Sequence, residues 1–290
     1  MFLKQIYYFL INSNIYISLA AVLLTVEAQI QLGMQPQWHP YLFIIFFATM
    51  LEYNFHRLIT LLLRKETLES EKYTWLRNNV TSFYVLMVVS VVGFFIAGLF
   101  AKKQVIVTLL PIGIITIFYS LPIFKTKAKL FRLREISILK IFLISAVWAL
   151  STVLLPVIQA GKYFDVVNIL LMLAERMLFI FAITIPFDIR DMESDVHADL
   201  KTIPTLIGEK KSIRLAMLAL LLFVILCLAH YIKNPLAYTL PALIFSAITT
   251  YVFIMNERIK KLTHYYYGVL DGTMFFQGLM VVASYYAFSK

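Results

Sequence analysis

Charge and sulfur are scarce in this chain. Only 14% of its 290 residues are charged, against about 25% in a typical soluble domain. The single cysteine, Cys227, sits inside an apolar run. One thiol excludes an internal disulfide, and with it the scaffolds of small secreted domains. Nine glycines and nine prolines are too few for a collagen-like or low-complexity chain. The sequence has no glycine-rich phosphate loop, His-Glu-x-x-His pattern, Cys/His metal cluster or visible nucleophile elbow. Hydrocarbon dominates instead: 61% of residues are apolar and the mean hydropathy is +0.82. One soluble core cannot hide that much apolar surface. Lipid is therefore part of the solvent, and the chain is a polytopic membrane protein.

A helix needs about 20 mostly apolar residues to cross a bilayer, and the long, continuous runs favour helices over a barrel. The expected architecture is all-α with nine spans: Ile15–Met34, Pro40–Leu63, Val80–Phe100, Gln104–Leu121, Ser137–Gln159, Val166–Phe187, Ser212–Ile232, Pro235–Met255 and Tyr265–Phe288. A short amphipathic stretch, Phe2–Leu10, precedes them and suits the interface. It lacks the small-residue cleavage site of a signal peptide. No Gly/Ser linker divides the chain, so residues 1–290 read as one domain with long loops at about 64–79, 122–136 and 188–211.

Lysine and arginine distribution sets the orientation. With the N-terminus inside, eighteen basic residues fall in inner loops and five outside. The bias predicts a cytoplasmic N-terminus and an external C-terminus. It also accounts for most of the net charge of +10 without a nucleic-acid partner.

Polar groups at membrane depth are functional candidates by default. The densest set follows Pro186: Asp188, Asp191 and Asp195 stand at i, i+3 and i+7, within roughly 60° on one helical face at about 100° per residue. Three carboxylates on one face repel one another. A divalent cation resolves that repulsion, and oxygen-only ligands point to Mg2+, which also takes substrate phosphates as ligands. The plain alternative is a solvated acidic cap on a loop.

Asp188-x-x-Asp191-x-x-x-Asp195, followed by Thr202-Ile203-Pro204 and Gly208, resembles the second signature of the UbiA family of intramembrane prenyltransferases. Tyr119-Ser120-Leu121-Pro122 and the lysine-rich stretch after it resemble that family's segment after its fourth helix. The resemblance implies a nine-helix bundle in a cytoplasmic membrane, in contact with lipid. It implies a Mg2+-dependent enzyme that transfers an isoprenoid from an allylic diphosphate to a lipophilic acceptor. On it, Asp188, Asp191 and Asp195 bind the metal. Tyr119 and Lys125 are substrate-binding candidates, because the family uses a tyrosine and a lysine in this region. Some of the 44 aromatic residues would line the isoprenoid tunnel.

The family's first motif is an asparagine with aspartates four and eight residues later. Here Asn54 matches, but those aspartate positions hold Leu58 and Leu62, which cannot bind metal. Three readings stay open. The site is rebuilt, with Asn54 and Arg57 on the diphosphate and Glu52 and His56, at i and i+4, as ligand or base. Alternatively, the chain has lost its chemistry and binds an isoprenoid or another lipid. In the third reading, Glu52, His56 and Arg57 form a polar cluster at a helix end. Arg190 and Lys201 flank the acidic motif as phosphate-binding candidates or topology signals. Asp199 stands where the family usually has glycine. Glu27, Glu175, Arg176 and Asp271 are intramembrane charges to which the sequence assigns no role, and adjacent Glu175 and Arg176 do not share a face.

Overall fold

The structure, a computed structural model, describes residues 2–63, 71–121, 124–125, 130–131, 136, 139–197 and 200–289. Its main helices are α1 (Phe2–Asn12), α2 (Ile15–Gln31), α3 (Pro40–Leu63), α5 (Val80–Phe100), α6 (Lys103–Ser120), α7 (Leu139–Ala160), α8 (Val166–Arg190), α11 (Glu209–Tyr231), α12 (Leu240–Met255) and α14 (Asp271–Phe288). Short elements occupy the loops: α4 (Glu71–Asn78), α9 (Met192–His197), α10 (Ile203–Ile207) and α13 (Glu257–Lys260). A two-residue antiparallel ladder pairs β1 (Phe124–Lys125) with β2 (Leu130–Phe131).

Among the described residues, seven helices are long and apolar enough to cross a membrane, or eight if the α1–α2 pair, bent by 74°, is one span. The sequence counts nine. The differences have physical reasons. Helix α2 alone is only 17 residues long. The last expected span is a π-helical turn, Tyr265–Leu270, running into α14, whose buried side carries Asp271, Thr273 and Gln277.

The helices close a circuit. Helix α2 packs on α3, α3 on α6, α6 on α7, α7 on α8, α8 on α11, α11 on α12, α12 on α14, and α14 back on α2. Helix α5 lies mainly against α3. Small residues allow two of the closest approaches. A Cβ on Gly278 would sit 2.8 Å from the Leu23 backbone, and one on Gly93 would sit 2.5 Å from the Phe47 ring. Glycine at such crossings lets backbones meet where lipid gives no hydrophobic drive for association. Buried hydroxyls return to their own helices: Thr25, Ser145, Thr152, Thr184 and Thr250 each donate to the carbonyl four residues back. In hydrocarbon no water would otherwise satisfy them.

Candidate functional site

The C-terminal parts of α3, α6 and α8 and the N-terminal part of α7 share one end of the bundle. There α8 carries the acidic motif, and Pro186 does not stop it: the helix continues to Arg190, turns at Asp191 and resumes as α9. Asp188 is buried, and its Oδ1 lies 2.5 Å from Nζ of Lys140, a buried lysine on α7. Asp191 is gripped by its neighbour: Arg190 Nε donates to Oδ1 at 2.7 Å and Nη2 to Oδ2 at 3.1 Å. The guanidinium also donates to the Tyr267 hydroxyl at 2.9 Å and lies 4.8–5.3 Å from the ring centres of Tyr266, Phe187 and Tyr267. Two of those rings come from the π-helical turn, a distortion common at functional sites. Asp195 is buried on α9.

The three aspartates therefore do not converge. Among the described residues, no three His, Cys, Asp or Glu side chains gather closely enough to hold one ion. Their oxygens are the right kind of donor for Mg2+. Asp188 and Asp191, one turn apart, each already face a cation, so a metal held there would need substrate oxygens to complete its shell.

Asn54 and Arg57 are engaged elsewhere. Between α1 and α2 the chain turns through Asn14, which adopts the left-handed conformation at φ 64°. Asparagine tolerates that region better than most residues. Asn54 accepts from Asn14 Nδ2 at 2.9 Å and donates to the Ser13 carbonyl at 3.1 Å. Arg57 donates to the Asn12 carbonyl at 2.5 Å and to Asn14 Oδ1 at 2.9 Å. The residues expected to grip phosphate instead bind the break in the N-terminal helix pair.

Glu52 and His56 point into a separate arrangement. Ser120 Oγ donates to Glu52 Oε1 at 2.7 Å, and His56 Nδ1 lies 3.1 Å from the same Oγ. These groups border a cavity of about 170 Å³. Helix α3 contributes Glu52, Tyr53 and His56 to its wall, and α6 contributes Ile115, Thr116 and Tyr119. Helix α7 supplies Leu143, Ile144, Val147 and Trp148. Lys140 belongs to the same face of α7: Ile144 and Val147 follow it at i+4 and i+7. The cavity wall thus begins about one helical turn along α7 from Lys140.

Of the other candidates, Lys201 is exposed just ahead of the N-cap Thr202 of α10. The Lys125 side chain and Asp199 lie outside the described residues. Sequence reading missed Lys140 and Ser120 as partners. An isolated lysine within an expected span was the available signal for the first. The second had only its place in the Tyr-Ser-Leu-Pro segment.

Away from that end, three of the four unassigned charges find partners. Arg176 meets Glu27 at 3.0 and 3.4 Å, and Gln277 donates to Glu27 at 2.9 Å. Glu175 pairs with His230 at 2.8 Å, and the other ring nitrogen of His230 meets Asn168.

A closed circuit of apolar helices with an acidic motif at one end defines a multi-pass membrane protein. The chain belongs to the UbiA prenyltransferase family, whose sequence model matches residues 77–279. The match begins beyond α3. No curated protein matches the sequence. Among solved structures, a UbiA homologue from Archaeoglobus fulgidus is 14% identical over 96% of this chain and 98% of its own, with a TM-score of 0.65. The same homologue bound to GPP and Mg2+ gives 0.64 at 14% identity, covering 95% and 99%. A structure described as digeranylgeranylglyceryl phosphate synthase gives 0.57 at 16% identity, covering 97% and 98%. At these identities the likeness is one of fold.

Proposed function

We propose that this chain is an integral-membrane prenyltransferase that moves an isoprenoid from an allylic diphosphate to a lipophilic acceptor. It lies in a cytoplasmic membrane with its N-terminus inside and its C-terminus outside. The observation that carries this reading is the matched charge at the acidic end, where Lys140 stands against Asp188 and Arg190 against Asp191. Fixed cations paired with carboxylates can turn to phosphate oxygens when a metal ion takes their carboxylate partners. The Archaeoglobus homologue bound to GPP and Mg2+ supports the choice of ligand.

Asp188 and Asp191 would hold Mg2+ together with diphosphate oxygens. The bound metal would stabilise negative charge on the departing diphosphate. Arg190 adds a planar guanidinium suited to bidentate phosphate contact. Tyr266, Tyr267 and Phe187 fix its plane. Lys201 adds positive charge to the segment that carries the motif. The apolar walls around Trp148 and Tyr119 keep water from the allylic carbon as its bond to oxygen breaks. Asn54 and Arg57 set the position of α3 against the N-terminal segment.

The test is binding of a non-hydrolysable farnesyl or geranylgeranyl diphosphate analogue to purified protein, with and without Mg2+, for wild type and Asp191→Asn. Binding that needs Mg2+ and is lost in the variant is the expected result. Leu58 and Leu62 favour a second reading, a non-catalytic isoprenoid- or lipid-binding protein on the same fold. Binding indifferent to both metal and Asp191 would select it.

A further inference from the structure

The N-terminal helix has no part in the site described above. Helix α1 leaves α2 at 74°, so beside a membrane-crossing α2 it runs near the bilayer plane. Its residues divide by exposure. Ile11 and Asn12 are buried and Tyr8 is half-buried. Ile6 and Phe9, at i and i+3 on one side of the helix, are exposed, as is Tyr7. Apolar side chains on a helix at this angle suit the boundary between headgroups and acyl chains.

Cations gather around that helix. Lys4 Nζ lies 5.7 Å from the Tyr8 ring centre, and the Tyr8 ring meets His264 edge-on at 4.6 Å. His264 closes the segment that carries exposed Arg258, on α13, and exposed Lys261, just after it. The acidic residue of that segment, Glu257, is matched by Lys260 at 2.7 Å. On the other flank, Phe9 packs on Trp75 of α4 with ring centres 6.2 Å apart, two residues before exposed Arg77. Each basic residue held at an anionic leaflet strengthens attachment by about 5-fold. A phospholipid with an anionic headgroup offers acyl chain to Ile6 and Phe9 and phosphate to the cations, whereas free phosphate offers only the second.

The same helix reaches the acidic end of the bundle. Tyr7 Oη lies 2.5 Å from where a Cβ on Gly268 would stand, and Tyr16 Oη donates to the Gly268 carbonyl at 3.3 Å. Gly268 adjoins Tyr267 in the π-helical turn, and the Tyr267 hydroxyl accepts from Arg190. We propose that α1, with Lys4, Arg77, Arg258 and Lys261, is a docking surface for anionic phospholipid of the leaflet at the acidic end. Lipid docked there braces the π-helical turn and, through it, Arg190. That second half rests on the diphosphate-binding reading above.

The experiment titrates full-length protein in detergent with phosphatidylglycerol or phosphatidylcholine of the same chains and counts retained lipid by native mass spectrometry. Wild type should prefer phosphatidylglycerol by at least about 25-fold, and Arg258→Gln combined with Lys261→Gln should remove at least about 10-fold of that preference. Lys210→Gln combined with Lys211→Gln takes the same charge from exposed positions on α11 and should change it by less than about 2-fold. Equal retention of the two lipids, or an equal loss in the α11 variant, would overturn the docking surface. Displacement of the lipid by inorganic phosphate would overturn it too, in favour of a site for free anions. Donor-analogue affinity is then measured in nanodiscs. In phosphatidylcholine alone, wild type and the Arg258/Lys261 variant should bind the analogue equally. With phosphatidylglycerol present, wild type should bind at least about 5-fold tighter than the variant. Equal affinities there would overturn the link to Arg190. No donor binding in any lipid would instead overturn the prenyl-transfer reading, and the docking surface would stand or fall on lipid retention.

Discussion

Lys140 Nζ and Asp188 Oδ1 form a 2.5 Å ion pair between α7 and α8, and both residues are buried. The pair fastens the acidic motif to the helix that also forms a wall of the cavity. Removing one member leaves the other charge buried and uncompensated, at a cost of about 3–5 kcal/mol. Replacing both removes the burden. Lys140→Met should therefore be markedly less stable than Lys140→Met combined with Asp188→Leu. Denaturant unfolding in detergent would check this, and equal stability of the two variants would count against a buried pair.

Chelation of divalent metal should leave the fold alone. Lys140 and Arg190 already balance Asp188 and Asp191, so no repulsion is released when metal is absent. Helical content and melting temperature should be unchanged by EDTA, while affinity for the diphosphate analogue falls by at least about 10-fold. Circular dichroism and a binding titration on the same sample would test both halves.

Arg57 holds the N-terminal break through Asn12 and Asn14. Arg57→Met strands those oxygens, at a cost of about 1–3 kcal/mol. Donor-analogue affinity, measured on folded protein, should stay within about 3-fold of wild type. Collapse of affinity at undiminished stability would return Arg57 to the phosphate.

Two glycines should respond in opposite ways to alanine. A Cβ at Gly278 meets the Leu23 backbone at 2.8 Å, whereas one at Gly113, in α6, meets nothing within 4 Å. Gly278→Ala should destabilise by about 1–3 kcal/mol through overpacking of α2 against α14. Gly113→Ala should be neutral or slightly stabilising, since alanine favours helix. Paired melting curves would decide it.

The sequence made some of this legible and not the rest. Span positions followed from hydropathy because lipid imposes one solution on the backbone. The aspartate spacing put Asp188, Asp191 and Asp195 on one helical face, but the helix ends at Asp191 and Asp195 lies on α9. Asn54 was recognisable as a motif position, yet its partners Asn14 and Ser13 lie about forty residues earlier, and no periodicity links them. Lys140 lies within an expected span, and its pairing with Asp188 spans 48 residues that no local pattern links. Glu175 and Arg176 could be separated from each other by helical geometry. Their partners His230 and Glu27 come from packing, which spacing along one helix does not encode. The Glu52 to His56 spacing was visible, but the Ser120 that joins them arrives from α6.

The Glu27–Arg176 contact also bears on how the chain enters the membrane. Its two members are separated by 149 residues, so α2 is made long before the helix that neutralises it. An acidic residue in an inserting helix costs up to about 2.5–3.5 kcal/mol, the full figure applying at the helix centre. At about 5–20 residues per second, the counter-charge follows on the order of ten seconds later. During that interval α2 has no partner for its carboxylate. Its lasting burial in hydrocarbon waits for α8, so the second helix of the chain is among the later ones to reach its final place.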